Sequence, residues 1–281
     1  MTQVPTQIIA KSGFPEIGPP GLRDTMRSEW TKMKTLRSTY IIFILGTLFI
    51  LALSALITFL IAANEASELK HGGSLPSPLI TIQGGQVGWE FALLAFMVLG
   101  VLIISGEYSS SLIGVTLLAT PQRRRFLLAK VLVFALSLFV FTEVMSFVNF
   151  FIGHAIVSAY PDYPNTWLSN DGVLRVVIGM GIYVTLIGLM GLGAGALLRN
   201  AAGAIAACVG FLFILPIALS ALPNSFSNPI GEYWPTQAGS RIGVLHQGAH
   251  DLTAWWGAGD MALFIVVLLL IAGYALAKRD A

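Results

Sequence analysis

One cysteine, Cys208, is present in 281 residues. No disulfide can form within the chain, which excludes a small secreted disulfide scaffold. Charge is equally scarce. Asp, Glu, Lys and Arg supply 11% of the residues, less than half the roughly 25% of an average soluble domain. So few charges cannot cover the surface of a water-soluble globule of this length. A net charge of +2 is too small for a nucleic-acid-binding surface. The sequence contains no G-x-x-x-x-G-K-[ST] loop to cradle ATP phosphates, no H-E-x-x-H zinc motif and no G-x-S-x-G nucleophile elbow. Its glycine-rich stretch lacks the strand that a dinucleotide fingerprint requires. No enzyme active site is legible, and no cofactor is expected in this chain. Apolar residues, by contrast, make up 56%, and the mean hydropathy is +0.79. That abundance rules out disorder over most of the length and leaves a polytopic membrane protein.

A membrane-crossing helix needs about 20 apolar residues. The runs at Tyr40–Ala62, Trp89–Ser105, Val131–Val157, Val176–Leu198, Ala201–Leu222 and Met261–Ala277 answer that description. They are continuous, whereas barrel strands alternate over about 10 residues, so the expected fold is an all-α integral membrane protein with six transmembrane helices. Lysine and arginine set the orientation. Lys11, Arg23, Arg27, Lys32, Lys34, Arg37, Arg123, Arg124, Arg125, Lys130, Arg199, Lys278 and Arg279 fall on one side, and Lys70, Arg175 and Arg241 on the other. Both termini are therefore expected in the cytoplasm, and an even number of spans agrees. Residues 1–21, rich in Pro, Gly and Thr, read as a loose cytoplasmic tail and not as a signal peptide. The domain itself is expected over 22–281.

Before the first span, Leu22, Met26, Trp30, Met33, Leu36 and Tyr40 recur on one face of a helix, with Arg23, Arg27, Lys32 and Lys34 around the remainder. This predicts an amphipathic helix in the membrane interface. It serves either as an anchor that sets the angle of the first span or as a lever worked by a cytoplasmic partner. Between spans two and three, Gly106 to Pro121 holds an apolar stretch too short to cross a membrane. Ser109, Ser110 and Ser111 offer helix caps and Pro121 a stop. The expectation is a short surface helix with Glu107 at its favourable positive end. Topology alone accounts for Arg123, Arg124 and Arg125, but it does not require Glu107 and Tyr108.

Within the spans, Glu143 stands in the middle of the third, where a charge costs about 2.5–3.5 kcal/mol on insertion scales. His154 lies three turns on, about 16 Å away on nearly the same face, with Ser146 and Phe150 between. These residues make a candidate polar stripe along a translocation path, or else Glu143 bonds a neighbouring helix for packing. In the fourth span Gly179, Gly181, Gly188, Gly191, Gly193 and Gly195 permit close helix contact, within the subunit or across a dimer. The short Arg199-Asn200 link predicts a tight antiparallel hairpin with the fifth span. Residues 223–260 form a long link, and Trp234, Trp255 and Trp256 suit an interface. His246 and His250, with Asp251, are too few ligands for a zinc site.

Four segments in order resemble the bacterial ABC-2-type permeases, the membrane subunits of ABC transporters. They are Arg27-Ser28-Glu29-Trp30-Thr31-Lys32 running into Arg37-Ser38-Thr39-Tyr40; Gly106-Glu107-Tyr108-Ser109-Ser110 with Pro121-Gln122-Arg123-Arg124; Trp234-Pro235-Thr236-Gln237-Ala238-Gly239-Ser240; and the terminal Lys278-Arg279-Asp280-Ala281. The resemblance covers about residues 22 to 281. It implies two permease subunits, identical or related, in the bacterial cell membrane, and a separate cytoplasmic ATPase dimer that holds ATP and Mg. It also implies a connecting helix over about Leu22–Leu36, with Arg27, Trp30, Lys32 and Met33. A coupling helix over about Glu107–Ala119 would meet the ATPase through Glu107, Tyr108, Ser109, Leu112, Arg123 and Arg124. Residues 223–260 resemble the family's outer re-entrant helices. The implied function is ATP-driven export of a drug, antibiotic, peptide or lipid-like substrate. The competing expectations are an ion-coupled secondary carrier using Glu143 and a non-transporting sensor or assembly subunit.

Overall fold

In a computed structural model, residues 21–71, 80–109, 123–160, 163, 166–245, 248 and 252–278 are described. They are mostly helical, with no strand among them. Six helices are long and apolar enough to cross a membrane: Arg37–Lys70, Gly88–Tyr108, Arg124–Val157, Val173–Leu198, Ala201–Ser220 and Ala254–Lys278. The chain is a multi-pass membrane protein. Every apolar run of the sequence lies within one of these helices or ends just beyond it, and most helices continue past the run. Backbone hydrogen bonding does not stop where the hydrocarbon does, so charged residues such as Lys70 and Arg124 complete the end turns.

Helix α1 spans Leu22–Thr35. Its start is fixed by the Gly21 N–H, which donates to Asp24 Oδ2 at 3.1 Å, and by the Thr25 hydroxyl, which donates to the Gly21 carbonyl. Leu36 adopts extended geometry (φ −76°, ψ 117°) and separates α1 from the first span. That span is α2 (Arg37–Leu48), a π turn at Phe49–Leu53 and α3 (Ser54–Lys70). The second span belongs to α4 (Ile80–Ser109), the third to α5 (Arg123–Val157) and the fourth to α6 (Val173–Leu198). The fifth is α7 (Ala201–Val209), a second π turn at Gly210–Ile214 and α8 (Leu215–Ser220). This π turn lies just before Pro216, whose ring would clash with the carbonyl four residues back in a regular α-helix. Short helices α9 (Asn224–Glu232) and α10 (Pro235–Ser240) and a 3₁₀ turn (Arg241–Gly243) lead to α11 (Ala254–Lys278).

α6 is the axle of the bundle, and Val184, Ile187 and Leu192 on it are fully buried. Its glycines seat different neighbours. A Cβ at Gly191 would strike the Met97 carbonyl of α4, one at Gly179 would sit 2.6 Å from the Ile242 carbonyl, and one at Gly193 would lie 3.0 Å from Leu268 of α11. A Cβ at Gly195 would come within 2.8 Å of Ile104 and 3.0 Å of the Val101 carbonyl. The small-residue pair Gly191 and Gly195 therefore serves contact within the subunit, against α4. The expected hairpin between spans four and five is present. Arg199 closes α6 in the left-handed region at φ 56°, and the Asn200 side chain caps α7 by accepting from Gly203 N–H at 3.0 Å. Gly273 on α11 lies beside Leu127 near the start of α5, so the C-terminal end of the bundle's last helix is at the same end as α1.

Candidate functional site

Three elements meet at the α1 end. α1 presents Thr25, Glu29 and Met33 to the bundle, one residue per turn, and all three are buried. The apolar face read from the sequence overlaps this one only in part. Trp30, Leu36 and Tyr40 on it are exposed, at 41%, 43% and 55%, whereas Met33 is buried and Met26 packs against the core. A periodicity argument identifies the face that avoids water. It does not say whether lipid or protein takes that face.

Glu29 is at the centre of a closed ring of alternating charge. Lys32 Nζ donates to Glu29 Oε1 at 2.8 Å and to Glu107 Oε1 at 3.0 Å. Lys130 Nζ donates to Glu29 Oε2 at 2.5 Å and to Glu107 Oε1 at 3.0 Å. Glu29 and Lys130 side chains are each 4% exposed and Glu107 10%, while Lys32 is 35% exposed at the rim. Phe126, fully buried, lies one turn before Lys130 and places its ring centre 5.6 Å from Lys32 Nζ and 5.2 Å from Lys130 Nζ. Burial on its own would pull the Lys32 ammonium below its usual value. The hydrogen bonds and charges of Glu29 and Glu107 more than reverse this, so Lys32 holds its proton more firmly than an ordinary lysine. The ring is neutral overall, the condition under which charges tolerate burial.

Glu107 does not open a surface helix. It lies in the last turns of α4, which runs to Ser109, at the negative end of the helix dipole, where a carboxylate is disfavoured. The two lysines offset that. Its Oε2 is buried and has no hydrogen-bond partner among the described residues. Tyr108 turns elsewhere, with the Arg199 guanidinium 5.2 Å from its ring centre. Ser109 ends α4, Arg123 begins α5, and Arg124 and Arg27 are exposed. Leu112 and the rest of the expected coupling helix lie outside the described residues, as do His246, His250 and Asp251. Among the described residues no three His, Cys, Asp or Glu side chains come together as a metal would need.

Beside the ring is a cavity of about 700 Å³. Met33, Leu36, Leu102, Ile103, Val133 and Phe134 wall it, and Glu29, Lys32, Glu107 and Lys130 also line it.

Glu143 and His154 lie elsewhere. The Glu143 carboxyl occupies the space left by Gly181 on α6, where a Cβ would displace it, and neither oxygen has a hydrogen-bond partner among the described residues. Its neighbours Thr142 and Ser146 tie α5 to α6 through the Gly181 and Val177 carbonyls, at 3.1 and 2.6 Å. His154 Nδ1 is 3.0 Å from the Thr166 carbonyl, and its ring lies 4.2 Å from that of Trp167, so it braces the connection between spans three and four. At that end Arg175 donates to the Ile242, Val244 and Leu245 carbonyls at 3.4, 3.1 and 3.2 Å. This holds the segment after α10 against α6.

Sequence reasoning singled out Glu107, Lys32 and Met33 but gave Glu29 and Lys130 no role of their own. A signal for Lys130 existed: it is flanked by Phe126 to Ala129 and by Val131 to Phe134, an apolar setting in which a lone lysine needs a partner. No family model and no curated protein matches this chain.

Proposed function

We propose that the chain is the permease subunit of an ABC exporter of the ABC-2 type, moving a drug, antibiotic, peptide or lipid-like substrate with work supplied by a separate ATPase. The observation that carries this reading is the charge ring. It fastens a helix lying outside the six spans to the last turns of the second span and the first turns of the third. A push on α1 therefore reaches two spans at once. The exposed Trp30, Leu36 and Tyr40 suit an α1 that rests in the inner interface of the bacterial cell membrane, with lipid on its outer face. The distribution of lysine and arginine supports a cytoplasmic position for this end and for both termini. ATP and Mg bind the partner ATPase, so this chain hydrolyses nothing itself. The exposed apolar faces of the outer spans leave room for a second permease subunit, identical or related.

The test is purification of the tagged chain from its native membranes, followed by measurement of ATP hydrolysis. The expected result is a complex with a P-loop ATPase, with hydrolysis absent from the chain alone. Recovery of the chain with no ATPase, and no loss of transport when the neighbouring ATPase genes are deleted, would contradict it.

Glu143 supports a second reading, an ion-coupled carrier, because its carboxyl is held in mid-span without a hydrogen-bond partner among the described residues. Vesicles containing the chain alone decide between the two. Under the second reading they concentrate solute on an imposed ion gradient without ATP, and Glu143→Gln abolishes it.

A further inference from the structure

The outward half of α1 carries an arrangement that the exporter reading does not use. With about 100° between successive residues, Thr25, Glu29 and Met33 point to one side of α1, and all three are buried in the bundle. Asp24, Ser28, Thr31 and Thr35 share a second side and are exposed. Arg23, Trp30 and Lys34 are exposed on a third side, within about 40° of one another. Arg27, also exposed, lies at the border of the second and third sides. Lys34 Nζ stands 4.6 Å from the Trp30 ring centre. Arg37, just past the break at Leu36, adds another exposed cation. Among the described residues no carboxylate forms an ion pair with Arg23, Arg27, Lys34 or Arg37. The acids of α1 are engaged elsewhere, Glu29 in the ring and Asp24 on the Gly21 N–H. Topology asks for cations at this end, but it does not ask that they share a side with a tryptophan.

We infer that this third side binds the headgroups of anionic phospholipids in the adjoining leaflet. Arg23, Lys34 and Arg37 take the phosphates, Arg23 and Lys34 being about 16 Å apart along the helix. Trp30 sits among them at the depth where indole rings collect. Chain connectivity favours a bilayer over an acidic protein as the occupant. Directly after Leu36 the chain enters a span whose Tyr40, Ile41, Ile44 and Leu48 are exposed, a surface for acyl chains to cover. The stripe begins where that surface ends, which is the headgroup level. Arg124, Arg125 and Lys278, also exposed at this end, add to its positive field. The second side, with its serine, threonines and one acid, is left to the cytoplasm. Lipid binding here needs α1 at the membrane surface but no motor, so its failure and the failure of the exporter reading are separate results.

The experiment uses the full chain in nanodiscs of equimolar phosphatidylcholine and phosphatidylglycerol. One lipid or the other carries a photoreactive group near its glycerol, and labelled residues are mapped by mass spectrometry. Phosphatidylglycerol is expected to label the stretch from Trp30 to Tyr40 roughly fivefold or more over phosphatidylcholine, the factor that one lysine or arginine contributes at an anionic surface. At the exposed Phe226 of α9 the two lipids should label equally. Salt at about 1 M, where the screening length falls to about 3 Å, should bring the ratio at α1 toward one. Arg23→Gln, Lys34→Gln and Arg37→Gln combined should do the same at low salt. The salt comparison needs no variant and stands if the triple one does not fold. Equal labelling of α1 by the two lipids overturns the inference, and it is the result expected of a stripe that serves an acidic protein instead. No labelling of α1 by either lipid, a preference as large at Phe226, or a preference that survives either high salt or the triple substitution also overturns it.

Discussion

Replacing Lys130 with methionine removes one charge of the ring while keeping much of the side chain's volume. Two of the ring's four contacts are lost, those to Glu29 Oε2 and Glu107 Oε1. Glu29, 4% exposed, then keeps only Lys32, which is the ring's solvent-facing member. Two mostly buried carboxylates then share one cation. Removing one partner of a buried ion pair costs about 3–5 kcal/mol. Thr25, Glu29 and Met33 are the buried residues of α1, so the cost falls on the docking of this helix rather than on the whole bundle. At about 1.4 kcal/mol per factor of ten, amide exchange across Thr25–Met33 should quicken roughly 100-fold or more in Lys130→Met, read by hydrogen–deuterium exchange with mass spectrometry in nanodiscs. Exchange in α6 should not change. Adding Glu29→Gln restores a balanced pair, Lys32 with Glu107, and most of the loss should be recovered, because a neutral set of buried charges costs little relative to an apolar replacement. Exchange in α1 within threefold of wild type in Lys130→Met would refute the reasoning. So would a double variant as loose as the sum of the two single ones, because the residues would then not be coupled.

Other outcomes follow from the same geometry. Gly191→Ala drives a Cβ into the Met97 backbone carbonyl, whereas Gly210→Ala meets nothing within 4 Å; the first should lower the thermal midpoint and yield of folded protein, and the second should leave both unchanged or slightly raised. Arg175→Ala leaves the Val244 and Leu245 carbonyls without their guanidinium donor, at a cost of about 1–3 kcal/mol. Faster exchange and proteolysis at 240–245 should reveal it, and Arg175→Lys should recover only part. Lys32 titrates above its ordinary value of 10.5. Its contribution is therefore fully present below that value and is lost as pH rises through the higher folded one. A spin label on Arg27→Cys should report constant α1 mobility from pH 6 to 10 and increased mobility only beyond 10.5.

The six spans were legible because continuous apolar length is a local property, and so was the hairpin at Arg199-Asn200, where two residues leave no alternative. The buried face of α1 was not. Lipid and protein both satisfy an apolar stripe, so Trp30, Leu36 and Tyr40 of that stripe stay exposed, while Met26 and Met33 join Thr25 and Glu29 against the bundle. Glu107 was recognised as unusual, since topology did not require it, but its place in the last turns of α4 depends on how far a helix continues past its apolar run. Glu29 and Lys130 are 101 positions apart, and a single sequence carries no signal that pairs them. The glycines of α6 announced close packing, and only the fold assigns Gly191 and Gly195 to α4 rather than to a second subunit.

The account rests on α1 receiving work from a motor beneath the membrane, and contact between the two is the most direct measurement. A photo-crosslinking amino acid is placed at the exposed Arg27 of α1 and, as a control, at the exposed Phe226 of α9, in cells that make the protein at its natural level. The account predicts a crosslinked product containing a P-loop ATPase from Arg27 and none from Phe226. An Arg27 product lacking any ATPase, while the same cells carry out transport, would contradict it.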